Sequence, residues 1–171
     1  MTLIWVPALD RPDLLAEPVA LAVRQMEEEV RVAEIDPDLA DTAAFCDEYG
    51  VAMDASANCV VVAAKRGGEV RYAACMVLAT TRADVNGVVR KRLDARKTSF
   101  APMDDAVSLT GMEYGGITPL GLPDDWPILV DSRVAAHPSV IIGSGVRRSK
   151  LALSGGALAG LKAAEVLDLA N

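Results

Sequence analysis

Apolar residues fall along this chain in two rhythms, one helical and one alternating, and together they divide it into elements. Residues 10–13 are turn-like, and after them Leu15, Val19, Ala22, Val23 and Met26 recur at helical spacing. Pro18 offers a later start for that helix, because proline is tolerated in a first turn and not in a helix interior. Residues 30–35 alternate as a short strand, which Asp36 and Pro37 break. Asp41 is placed to cap a helix running through Tyr49, with Gly50 at its C-terminal stop.

The clearest pattern is a pair of apolar runs, 59–64 and 70–78, separated by Lys65, Arg66, Gly67 and Gly68. They predict a β-hairpin, and runs this apolar predict strands covered on both faces. Asp84 can cap a helix carrying Val85, Val88, Val89 and Leu93, whose exposed face holds Arg90, Lys91 and Arg92. A short helix is expected over 104–110, ending at Gly111, and a glycine-rich loop over 114–123. Further strands are expected at 127–131, 140–142, 150–153 and 165–167, with a short helix over 156–162. No repeat, linker or low-complexity tract interrupts the chain. The expectation is one domain, residues 1–171, of α/β (α+β) class with a mixed sheet. The alternation is too irregular for a doubly wound sheet or a β/α barrel.

Composition narrows the picture. Hydrophobic residues make up 51% of the 171 but aromatics only 4%, so the core must be built from Val, Ala, Leu, Ile and Met. No apolar run approaches the roughly 18 residues that span a bilayer, and the first residues do not read as a secretory signal. A cytoplasmic protein without a membrane partner is expected. Three cysteines without a CxxC pair are expected as reduced thiols, and a single histidine cannot build a multi-histidine metal site. Neither a metal nor another cofactor is expected. The net charge of −7 is unevenly spread: residues 1–54 carry 13 acids and 3 bases, the remainder 11 acids and 14 bases. An acidic chain can therefore still present a locally basic face to phosphate.

Four segments in order carry a resemblance. They are residues 90–101, rich in Arg and Lys; 103–111, ending Leu-Thr-Gly; 114–123, Tyr-Gly-Gly-Ile-Thr-Pro-Leu-Gly-Leu-Pro; and 129–131, Leu-Val-Asp. This order resembles the YbaK/EbsC group, the editing domains associated with bacterial prolyl-tRNA synthetases. The likeness runs from about Thr42 to Leu169, which leaves residues 1–41 as a divergent acidic segment. It implies a mixed, curved sheet flanked by helices around a central pocket. It also implies hydrolysis of the ester joining a wrong amino acid to the 3′ end of tRNA, without metal or ATP. The implied partner is aminoacyl-tRNA, with an aminoacyl-tRNA synthetase as a further one.

An aminoacyl ester is already reactive, so positioning it and stabilising the oxyanion is enough to accelerate its hydrolysis. In the family the Gly-x-x-x-Pro loop does this, which here assigns Gly115 and Gly116 to backbone contacts with the aminoacyl end. Pro119 stiffens the loop and Gly121 lets it turn. The loop taken alone reads equally as a tight turn after a helix. Thr118 is a candidate to hold water or the ester oxygen, or it bonds within the loop. Asp131, at a strand end, either binds the substrate amino group or caps the strand with Ser132. Arg90 and Lys91 suit phosphate contacts, which give affinity rather than specificity; singly, each also reads as part of a solvated helix face. Arg147, Arg148 and Lys150 form a second basic cluster.

One departure matters. Family members carry a lysine at the start of the first hairpin strand, where it engages the phosphate of the terminal nucleotide. Alignment of that strand puts Asn58 there, and a neutral hydrogen bond to phosphate is about half as strong as a charge-assisted one. Another cation has the role, with Arg147 or Arg148 the candidates, or the substrate differs, or activity is lost. The adjacent Cys59 reads as a buried structural cysteine rather than a nucleophile. The first expectation is therefore a trans-acting aminoacyl-tRNA deacylase for a small mischarged amino acid. The alternative is a non-catalytic tRNA-end or nucleotide-binding module. A third is an interaction protein docking through its acidic N-terminal region.

Overall fold

A computed structural model describes all 171 residues. Strands β1 (Val6–Pro7), β2 (Arg31–Glu34), β7 (Val140–Gly143) and β8 (Ser149–Leu153) form an antiparallel sheet in the order β1-β2-β8-β7. Strands β3 (Ala57–Arg66), β4 (Glu69–Leu78), β5 (Lys97–Phe100), β6 (Ile128–Asp131) and β9 (Ala164–Leu167) form a mixed sheet in the order β5-β3-β4-β6-β9. The expected α/β class with helices around a sheet holds, with the strands shared between two sheets rather than one. No helix is long and apolar enough to cross a membrane.

The hairpin β3–β4 follows directly from its sequence. Arg66 pairs with Glu69, which leaves Gly67 and Gly68 as a two-residue loop. Their φ values of 58° and 83° are those of a turn that needs left-handed residues at both central positions. Both faces of β4 are buried. Ala73, Cys75 and Val77 pack on one side, against Val85, Val89 and Leu93. Met76 and Leu78 pack on the other, in the core between the sheets. Aliphatic side chains and methionine fill both layers, as an aromatic-poor chain requires.

The helices are short. α1 (Glu17–Arg24) carries Pro18 in its first turn and buries Val19 and Val23. α2 (Thr42–Tyr49) stops at Gly50, where φ is 67°. Asp84 caps its helix as expected, accepting from the N–H groups of Gly87 and Val88, but the first turns, Val85–Val89, are wound as π-helix before α3 (Arg90–Arg92). α4 (Met103–Thr110) ends at Gly111. α5 (Ser132–Ala135) and α6 (Gly155–Ala159) flank β7 and β8 in the chain. Strands β1 and β5 and helix α5 lie where no element was expected.

The two sheets share an apolar core, and their backbones pair at a single parallel bridge, Ser56 to Ile141. β5 pairs with β3 only from Val62 onward. The first residues of β3 therefore run beside β7 without a partner strand on that edge, and the candidate site lies in this gap.

Candidate functional site

Five pieces of chain converge on a cavity of about 350 Å³: the start of β3, the end of β7, Lys150 of β8, the entry to α2, and the glycine-rich loop after α4. Asn58, Gly115, Asp41, Thr42, Gly143 and Lys150 line it, with Val60, Ile117 and Ile142 as its apolar part. Its size is at the small end of ligand pockets, which span about 300–1,000 Å³. A second cavity of about 410 Å³, lined by Met1, Ile4, Val6 and Arg11 among others, contains no residue of the glycine loop.

The loop is held against β7 by its backbone. Glu113 N–H donates to Gly145 O at 2.8 Å, and Gly145 N–H returns a 2.7 Å bond to Gly116 O. Gly116 N–H is itself used, donating to Glu113 O at 3.0 Å. A Cβ on Gly116 would stand 2.8 Å from the carbonyl of Val146, and one on Gly143 would stand 2.6 Å from Gly116 O. These two glycines allow main chains to meet. Gly115 differs: its φ is 85° and it lines the cavity. Its N–H, like that of the cavity-lining Ile117, has no acceptor within the chain. Of the loop residues that line the cavity, Tyr114, Gly115 and Ile117 have N–H groups without an acceptor in the chain, and Gly116 is not one of them.

The carboxylate at the cavity is Asp41. It stands at the N-cap of α2 but makes no capping hydrogen bond; its Oδ1 lies 3.6 Å from Nη1 of Arg147. Arg147 also donates to Tyr114 O at 3.3 Å, so it bridges the glycine loop to the mouth of the cavity. Asn58 Oδ1 accepts a 2.7 Å hydrogen bond from Thr42 Oγ1. Cys59 borders the cavity, but burial, and next the nearby Cys75, push its thiol far above the ordinary range, which disfavours the nucleophilic thiolate.

Lys150, the third member of the second basic cluster, lines the cavity. Leu151 and Leu153 of β8 face the core between the sheets, so the two-residue period turns Lys150 to the opposite face, toward α2. It is 7% exposed, its Nζ donates to Ala40 O at 2.7 Å, and it stands 5.2 Å from the centre of the Phe45 ring. Burial pushes its pKa down to about 8, against the opposing pull of Cys46 and Asp41. Its sequence signal was membership of that cluster and its place inside an otherwise apolar strand.

Other expected site residues lie elsewhere. Asp131 is 1% exposed and outside the cavity; its Oδ1 accepts from the N–H groups of Leu169 and Ala170, so it ties down the C-terminal segment. It does not cap through Ser132, whose hydroxyl bonds Asp168. Thr118 is fully buried, and its hydroxyl has no partner. Pro119 is buried beside it, and Gly121 packs against the backbone of Pro18. Arg148 donates to Asp13 O at 2.6 Å, on the N-terminal segment. Arg90 bonds back to Asn86 O, and Lys91 is exposed on the same helix; neither lines the cavity. Of the expected residues, Asn58 and Gly115 meet at the cavity, Arg147 stands at its mouth, and Gly116 supports it from behind.

A family model described as the aminoacyl-tRNA editing domain matches residues 36–161. No curated protein matches the chain by sequence. Among solved structures, a candidate trans-editing enzyme for prolyl-tRNA synthetase superposes with a TM-score of 0.71 at 20% identity, over 83% of this chain and 87% of its own. A hypothetical protein superposes at 0.79 and 21% identity, over 91% of this chain and 100% of its own. A candidate signal transduction protein from Marinobacter aquaeolei VT8 reaches 0.58 at 16% identity, covering 96% of this chain but only 31% of that longer one. At these identities the superpositions establish the fold.

Proposed function

The chain belongs to the aminoacyl-tRNA editing domain family, and from that premise we propose that it is a trans-acting deacylase, hydrolysing the ester of a small mischarged amino acid on the 3′ end of tRNA. The observation that carries this reading is the set of unpartnered N–H groups on the glycine loop, those of Tyr114, Gly115 and Ile117, all three residues lining a cavity of about 350 Å³. Such donors suit the negative charge that develops on the ester carbonyl oxygen as water attacks. They require no nucleophilic side chain and no metal.

The substrate's α-ammonium group needs an acceptor, and Asp41 at the cavity mouth supplies the carboxylate that Asp131 does not. An apolar groove of about 440 Å³ continues from the cavity, sharing Cys59, Val60, Tyr114 and Ile117 with it and adding Phe100 and Met103. Phe100 and Tyr114 are 69% and 57% exposed, a surface on which the unpaired 3′ bases can stack. A cavity of this size selects by excluding larger side chains. The reading places the protein in the cytoplasm, acting on charged tRNA released by a synthetase.

The test is deacylation of a panel of mischarged tRNAs by wild type and Gly115→Ala. Hydrolysis of one small-amino-acid ester, reduced at least about 100-fold in the variant because the added Cβ at φ 85° displaces the Gly115 N–H from its aim, supports the reading. Binding of tRNA without hydrolysis of any ester would establish a binding module instead.

A further inference from the structure

We propose that Lys150 is the cation with which this site holds the phosphate of the terminal nucleotide. The inference rests on reading the cavity as the editing site. The first hairpin strand offers no charge there: the position at the cavity is Asn58, whose Oδ1 is engaged by Thr42. The charge at the cavity comes instead from β8, in the other sheet, so it has moved across the gap from one wall to the opposite wall.

The neighbouring cations are otherwise occupied. Arg148 reaches away to Asp13 O. Arg147 is spent between Tyr114 O and Asp41 at the mouth. Lys150 is buried and makes no ion pair with any carboxylate of the chain. One of its three N–H donors goes to Ala40 O, which leaves two. A buried ammonium without a counter-charge is costly unless something anionic completes it. At the 3′ end of an aminoacyl-tRNA the ester is neutral and the amino group cationic. The anionic group within reach is the phosphate of the terminal nucleotide.

The groups facing Lys150 are the Cys46 thiol and Phe45 ring from α2, Asp41 at the entry to that helix, and Arg147 from the turn before β8. Burial pushes Cys46 up from its ordinary value, while Lys150, brought down to about 8, loses its proton in mildly alkaline solution.

The probes are adenosine 5′-monophosphate and adenosine, titrated by calorimetry from pH 7 to 9.5 against wild type, Lys150→Gln and Lys150→Arg. In wild type the monophosphate should bind at least about ten-fold tighter than adenosine at pH 7, the contribution of a charge-assisted bond. That preference should fall as pH passes about 8. Lys150→Gln should bind the two within about two-fold of each other, and Lys150→Arg should keep a preference that does not change with pH. A wild-type preference that persists to pH 9.5, or that disappears in Arg147→Gln and survives in Lys150→Gln, overturns the proposal. The wild-type pH profile needs no variant, so it decides the matter even if substitution at this buried position prevents folding. The two readings fail separately. Ester hydrolysis with no phosphate preference sinks the role of Lys150 alone. A Lys150-dependent phosphate preference without hydrolysis of any ester sinks the deacylase alone.

Discussion

Lys150 Nζ donates a 2.7 Å hydrogen bond to the carbonyl oxygen of Ala40, so a strand of the four-stranded sheet is tied to the residue just before Asp41. This bond orients the ammonium but does not neutralise it. With its folded pKa near 8 against an ordinary 10.5, the group is protonated in both states below pH 8 and destabilises the fold there. Between 8 and 10.5 the unfolded chain binds the extra proton, so stability rises with pH. The rise attributable to Lys150 is at most about 3 kcal/mol. Urea unfolding at pH 7 and 10.5 should show Lys150→Met gaining on wild type at pH 7, with the gap closing at the higher pH. An unchanged gap would mean that the ammonium is not held in a buried setting.

Gly115 and Gly116 should fail differently. An added Cβ at Gly115 meets the flexible guanidinium of Arg147, in a backbone with φ of 85°. Gly115→Ala should fold with a loss of about 1–2 kcal/mol, within the range of strained φ values, and lose deacylation. At Gly116 the Cβ meets the main chain of Val146, which cannot swing away. Gly116→Ala should cost about 3 kcal/mol, an overpacking penalty. Thermal melts beside single-turnover hydrolysis separate the two.

Thr118→Val removes a buried hydroxyl that has no partner while keeping the side chain's shape. The variant should be neutral or more stable by up to about 1 kcal/mol, with kcat/KM unchanged. A large fall in kcat would instead assign Thr118 a part in the chemistry.

Asp131→Ala should release the C-terminal segment from β6, costing about 2–3 kcal/mol as the N–H groups of Leu169 and Ala170 lose their charged acceptor. Deleting residues 169–171 should cost more, because it also removes the buried Leu169 and the backbone pairing of this segment with residues 82–84. KM for substrate should not move.

Lys65 and Lys97 lie directly opposite one another on β3 and β5, and with Arg66 and Arg96 they form a basic groove at the hairpin tip. Like charges in register are destabilising. Lys97→Glu should therefore stabilise the fold by about 0.5 kcal/mol. It should also weaken tRNA binding and make it less salt-dependent, as expected for a lost phosphate contact. Filter binding between 50 and 200 mM salt, a range in which each phosphate contact changes the slope by about one, measures this.

The hairpin was legible because its turn residues and its apolar runs agree, and Asp84, Gly50 and Gly111 marked helix ends through local chemistry. β5 was not legible. Its four residues alternate poorly, with Thr98 buried and Phe100 exposed. The division into two sheets was also hidden, because pairing partners far apart in sequence decide it. Within the site, Asp41 has the sequence signature of a cap, and only the folded chain shows its carboxylate turned to the cavity. Asp131 and Thr118 stand in the motif, yet both are buried, Asp131 at the end of β6 and Thr118 in the loop after α4. Lys150 was visible as a charge within an apolar strand, but the face it occupies depends on how β8 packs on α2.

The parallel bridge between Ser56 and Ile141 leaves the cavity astride a seam between two independent ladders. Side chains on either bank can be exchanged without breaking a rung of the other sheet. A neutral residue on β3 facing a lysine on β8 is what such an arrangement permits: the scaffold stays fixed while charge is redistributed across it. A family built on this fold can retarget its pocket by trading residues across the seam, with no change of register or topology.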